Sequence, residues 1–156
     1  MHLGILKEIK SEIQPIRHIN QIHKKFNFLN MPLVTITALR GRTKEEKRKI
    51  GDAVQKALAE AGTPTADRFQ RFFDMDEDDL IFDKTYPDMA EERSNKFIII
   101  EILFSVGRSV KVKRKILATL ISGLQELSID PKDVFVVFKE TAWENWAFTA
   151  GQILHA

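Results

Sequence analysis

Gly41-Arg42-Thr43 and Gly107-Arg108-Ser109 stand 66 residues apart (107 − 41 = 66), and the same offset carries Lys47-Arg48-Lys49-Ile50 onto Lys113-Arg114-Lys115-Ile116. The register continues from Val54 to Leu120, Leu58 to Leu124, Asp67 to Asp133, Phe69 to Phe135 and Phe72 to Phe138. A chain that repeats itself at one fixed offset builds two copies of one supersecondary unit. The architecture is therefore constrained before any motif is consulted.

Each copy reads as strand, helix, strand. Leu33 to Leu39 is a β-rich run with Thr35 and Thr37 between apolar residues, and Gly41 ends it. Thr43 then precedes Glu46 by the spacing of a capping box, and Ile50, Val54, Ala57, Leu58 and Ala61 follow at helical spacing until Gly62 and Pro64. A helix over 43–61 is expected, then a strand over 67–73. The second copy predicts a strand over 97–104, a helix over 108–127 and a strand over 134–138. Parallel strands joined by right-handed crossovers give an α/β (α+β) fold, in which a four-stranded sheet carries both helices on one face. The other face should be apolar, uncovered and buried by oligomerisation. Leu80-Ile81-Phe82, after the acidic segment Asp74 to Asp79, is expected to add a short hairpin strand. An EF-hand reading of that segment fails, since Asp79 stands where the loop needs glycine and Thr85 where it needs glutamate.

Residues 1–31 differ from the rest in their isoleucine, lysine, asparagine and histidine usage, and Pro15 interrupts their one helical run. They read as an N-terminal appendage to a domain over 32–156, with repeats at about 32–73 and 97–139. Three origins fit: a start assigned too far upstream, a removable leader, or an arm that packs on a partner subunit. A net charge of +2 is too small an excess to point to nucleic acid, which needs a concentrated basic face, and no stretch approaches the length of a membrane helix. The absence of cysteine excludes disulfides and a cysteine nucleophile, and it fits a reducing compartment, with the cytoplasm as the expected location. His2, His18, His23 and His155 lie near the termini and form no site, so no metal is expected.

Pro32 opens the first strand. Proline is tolerated there because it need not donate to the ladder. A free N-terminal proline, exposed by trimming after Met31, is instead a secondary amine able to act as acid or base, which its amide form is not. Arg42 and Arg108 each stand before a helix, where exposed N–H groups already favour an anion. Either both recruit a carboxylate or phosphate, or each pairs with a surface acid such as Glu45. Nearby cations would also lower the pKa of a free Pro32 amine. Asp67 either orients a water or that amine or caps a turn, as its copy Asp133 after Pro131 would. Trp146 and Phe148 either wall an apolar pocket or pack in a core or interface.

Taken together, Met31-Pro32-Leu33-Val34, Gly41-Arg42-Thr43, Asp67-Arg68-Phe69-Gln70, Glu92-Arg93-Ser94, Gly107-Arg108-Ser109 with Lys113, Pro131-Lys132-Asp133-Val134-Phe135 and Glu144-Asn145-Trp146-Ala147-Phe148 resemble the tautomerase superfamily. The double length resembles its branch containing malonate semialdehyde decarboxylase and related tautomerases. The resemblance implies a homotrimer and a cofactor-free tautomerase of small 2-oxo acids or their enols. Pro32, Arg108 and Asp67 would then be catalytic, and Arg42, Trp146 and Phe148 would bind substrate. The decarboxylase pattern has two arginines separated by one residue, whereas Ser105-Val106-Gly107-Arg108 supplies one, which favours tautomerisation over a decarboxylase or hydratase. If Met31 stays attached, Pro32 is blocked and a non-catalytic trimeric binding module is the alternative.

Overall fold

A computed structural model describes residues 31–147 and 149–153. The appendage up to residue 30, the four histidines and Phe148 lie outside the described residues. The element order is β1 (Leu33–Leu39), α1 (Lys44–Glu60), β2 (Phe69–Met75), β3 (Ile98–Ser105), α2 (Val110–Glu126) and β4 (Val134–Thr141). The sheet order is β2-β1-β3-β4, with β1 parallel to β2 and β3 parallel to β4. The two units meet through the antiparallel pair β1 and β3.

The repeat extends to individual bonds. Thr43 caps α1 in a complete capping box with Glu46, and Ser109 Oγ accepts from Val112 N at the start of α2. Gly41 and Gly107 take φ of 128° and 114°, the left-handed region that lets each strand turn into its helix. The Arg40 and Val106 amides each donate at 2.9 Å, to Met75 O and Thr141 O respectively. Lys47 pairs with Asp74, and in the other copy Lys113 pairs with Glu140 at 2.8 Å.

Val34, Ile36 and Ala38 of β1 and Ile98, Ile100, Ile102 and Phe104 of β3 face the helices, where they meet Ile50, Val54, Leu58, Ile116, Leu120 and Leu124. Burying each of the Val, Ile, Leu and Phe side chains stabilises the fold by about 1.5–3 kcal/mol, so these central strands anchor it. A Cβ built on Gly123 of α2 would come within 3.2 Å of Ala53 Cβ on α1, which shows how closely the helices approach there.

Several boundaries differ from the sequence reading. β2 starts at Phe69 because Asp67 N bonds Pro64 O and Arg68 N bonds Ala66 O, both at 3.0 Å, keeping those residues in the turn. β4 runs on to Thr141 because its polar end is paired with β3, where Lys139 forms an ion pair with Glu101. Leu80-Ile81-Phe82 forms no strand. Leu80 N closes a turn onto Asp76 O, Phe82 stacks on Phe97 with ring centroids 4.2 Å apart, and Ile81 is 89% exposed. The sheet face away from the helices is not wholly apolar either. Phe69, Phe73 and Phe135 are exposed on it, but Arg71 bonds Thr35 Oγ1 there and the Lys139–Glu101 pair crosses it. No helix among the described residues is long and apolar enough to cross a membrane.

Candidate active site

The register of β1 decides which residues meet. Leu33 is paired with Phe69 of β2 on one side and Leu103 of β3 on the other. The entry to β1 at Pro32, the approach to β2 at Asp67 and the exit from β3 towards Arg108 therefore share one end of the sheet. Pro32 is buried there, as is Met31. With Met31 attached, the Pro32 nitrogen is a planar amide with its lone pair delocalised.

Gly107 turns the chain so that Arg108 folds back over the end of β3. Its Nη1 donates to Ser105 O at 3.1 Å and its guanidinium lies 3.9 Å from the Phe104 ring centroid. Burial lowers the Arg108 pKa, while Glu140 and Asp67 pull it back up, so the group remains a cation. Asp67 lies within the electrostatic reach of Arg108. Burial pushes its carboxyl up to about 6, with Arg108 opposing the rise.

Asp67 Oδ1 is buried and has no hydrogen-bond partner. The copy of Asp67 behaves differently. Asp133, 2% exposed, accepts from Ser94 N at 2.6 Å and from Ser94 Oγ at 2.5 Å, fastening the segment before β3. One aspartate of the pair is consumed by the fold, and the other keeps a buried acceptor atom unused.

Trp146 follows the 3-10 turn Trp143–Asn145, which leaves the end of β4. That end pairs Thr141 with Ser105, so the turn starts from the Arg108 side of the sheet. The indole Nε1 of Trp146 is buried without a partner. Phe148 lies outside the described residues. The sequence reading passed over Ser105, which is fully buried and whose Oγ also lacks a partner. The one available signal was a lone hydroxyl closing an apolar strand.

Arg42 does not join this cluster within one chain. It stands beyond the opposite end of β1, a run of roughly 20 Å at 3.3 Å per residue. There it donates to Leu39 O at 3.4 Å and Lys96 O at 2.5 Å, while Glu45 pairs with Lys49. It lines a cavity of about 430 Å³ with Lys49, Lys96 and Ile129. This is the second copy's equivalent of the Pro32 end, with Asp133 close enough to act on the Arg42 charge. Ile98 stands 66 residues after Pro32, so that end has no amine to offer.

Two family models, each described as tautomerase enzyme, match the chain over residues 32–88 and 67–149. No curated protein matches it. Among solved structures, FG41 malonate semialdehyde decarboxylase inhibited by 3-bromopropiolate is 30% identical, with 78% of this chain and 92% of that one covered and a TM-score of 0.71. A malonate semialdehyde decarboxylase with decarboxylase and hydratase activities is 25% identical, covering 78% and 93%, also with a TM-score of 0.71. A fused 4-OT symmetric trimer, 20% identical over 78% and 94% at a TM-score of 0.63, shares the fold.

Proposed function

The chain belongs to the tautomerase family, and from that premise we propose that it is a cofactor-free tautomerase of small 2-oxo acids with Pro32 as its acid-base group. The chemistry requires Pro32 to begin the chain. Its neutral secondary amine then takes a proton from the enol hydroxyl, or from the carbon beside the carbonyl, and returns one at the other position. The Arg108 cation depresses the amine pKa towards neutrality. Arg108 also holds the substrate carboxylate and stabilises negative charge on the enolate oxygen. Asp67 positions the amine by accepting an N–H, while Trp146 and Phe148 exclude solvent. Arg42 serves this pocket only if a neighbouring subunit brings it there.

The observation that carries this reading is the unpartnered Asp67 Oδ1, within the electrostatic reach of Arg108 at the Pro32 end of the sheet, set against Asp133, which accepts two bonds from Ser94. The exposed Phe69, Phe73 and Phe135 on the open sheet face support its burial between subunits, which a homotrimer would supply. The test compares the intact chain with one beginning at Pro32. The shortened chain is expected to ketonise phenylenolpyruvate, with Pro32→Ala and the intact chain inactive. Equal rates for the intact and shortened chains would sink the proposal.

A second reading, decarboxylase or hydratase of a three-carbon acid, is favoured by the similarity to the two malonate semialdehyde decarboxylases. Val106 in place of a second arginine weighs against it. Release of carbon dioxide and acetaldehyde from malonate semialdehyde would decide for it.

A further inference from the structure

We propose that Ser105 is a further substrate-binding group of the Pro32 site, its hydroxyl donating to the oxygen on the carbon next to the substrate carboxylate. The inference rests on the tautomerase reading and names the side chain that reads the 2-oxo group.

The two copies show that the fold does not need this hydroxyl. Ser105 corresponds to Leu39 at the 66-residue offset, and both carbonyls accept from the arginine three residues on, at 3.1 Å from Arg108 and 3.4 Å from Arg42. Leu39 fills its place with an apolar side chain, 8% exposed. Ser105 puts a hydroxyl in the equivalent place, 0% exposed and without a partner. A buried hydroxyl that bonds nothing opposes folding, so its use has to come from something that arrives later.

The register indicates what arrives. The ladder ends at Leu33, paired with Phe69 and Leu103, and just past that end the chain carries Met31 and Pro32 on β1, Asp67 in the turn before β2, and Ser105 at the close of β3. Met31 is buried at this end of the sheet, which also holds two buried oxygens without partners, Asp67 Oδ1 and Ser105 Oγ. Once Pro32 is the first residue, the buried Met31 side chain is gone and the amine stands at this end of the sheet. A 2-oxo acid has its carboxylate and its 2-oxygen on adjacent carbons. Arg108 Nη1 donates to the Ser105 backbone carbonyl at 3.1 Å, which keeps the guanidinium at this residue, and a carboxylate held there would present its 2-oxygen to the end of β3, where Ser105 Oγ is the unpartnered donor. When Pro32 takes a proton from C3, the C–H pair becomes the C2=C3 bond and the carbonyl π pair moves to the 2-oxygen. Ser105 donates a hydrogen bond to that oxygen and keeps its proton. Ketonisation runs the same steps in reverse.

The sheet spans residues 33–141 and the buried core 34–129, so a chain beginning at Pro32 keeps both. In that chain, Ser105→Ala is expected to lower kcat/KM for phenylenolpyruvate by about 100-fold, as loss of one oxyanion donor does. The melting temperature should hold or rise. Binding of phenylpyruvate and of 3-phenylpropanoate, which lacks the 2-oxygen, separates the alternatives. The parent chain should prefer phenylpyruvate by about tenfold or more, and Ser105→Ala should erase that preference while leaving 3-phenylpropanoate binding unchanged. Equal weakening of both ligands, a retained preference, or a fall in melting temperature that accounts for the lost activity would overturn the assignment of Ser105 alone. No turnover by the parent chain with Pro32 free would overturn the tautomerase reading and this inference with it.

Discussion

The Arg108 guanidinium sits 3.9 Å from the centroid of the Phe104 ring, and Phe104 is fully buried at the end of β3. An aromatic face attracts the cation without neutralising it, as a carboxylate partner would. The platform thus positions a half-buried positive charge, on which Glu140 and Asp67 also act. Replacing Arg108 by lysine keeps the charge but loses the planar fork. In a chain beginning at Pro32, Arg108→Lys is expected to raise KM for a 2-oxo acid by about tenfold or more. Steady-state kinetics check this, and an unchanged KM would remove Arg108 from carboxylate binding.

Asp67 predicts a pH dependence of stability. Its carboxyl is raised to about 6 by burial, above the ordinary aspartate value of 3.8. Between those two values the folded chain holds a proton that the unfolded chain has released, so folding favours the protonated form. The contribution is full below about pH 4, declines as pH rises through about 6 and is absent above it. Thermal melts of the intact chain across pH 4–7 should show this decline, and Asp67→Asn should flatten it. A parallel slope in the variant would assign the effect to other groups.

Local chemistry is the part of this fold that the sequence makes legible. Thr43 with Glu46 and Ser109 mark both helix starts, because capping is local chemistry between residues three apart. β1 spans the expected residues because its alternation and the turn at Gly41 agree. The polar residues Lys139-Glu140-Thr141 disguise the end of β4, which is held by pairing with β3. Arg42 reads as a partner of Arg108 because the repeat makes them equivalent in sequence. Antiparallel pairing of β1 with β3 instead sends equivalent positions to opposite ends of the sheet. Ser105 carries no role legible in the sequence, because a single serine has no pattern, and it stands out only through its missing partner.

That separation of the two arginines is itself testable. Arg42 lies at the far end of β1 from Pro32, so in a single-chain site Arg42→Ala should change kcat/KM for phenylenolpyruvate by less than about threefold, well under 1 kcal/mol of transition-state binding. A loss of tenfold or more would instead assign Arg42 of a neighbouring subunit to the pocket. Mixing Arg42→Ala with Pro32→Ala chains would then restore part of the activity, because each intact residue would be supplied by a different chain.

The two aspartates of the repeat should respond to the same substitution in opposite ways. Asp133 accepts two short hydrogen bonds from Ser94 and is nearly fully buried, so Asp133→Ala strands the Ser94 amide and hydroxyl. The expected cost is about 2–4 kcal/mol, combining lost charge-assisted bonds with a buried donor left unpaired. Asp67 carries a buried oxygen that bonds nothing and a carboxyl that burial disfavours in its charged form. Asp67→Ala at pH 7 should therefore leave stability within about 0.5 kcal/mol of the parent or raise it, while turnover by a chain beginning at Pro32 falls. Urea melts of both variants, read beside their rates, check the pair. If the Asp67 variant lost stability as the Asp133 variant does, both aspartates would be structural and Asp67 would have no place in the proton transfer.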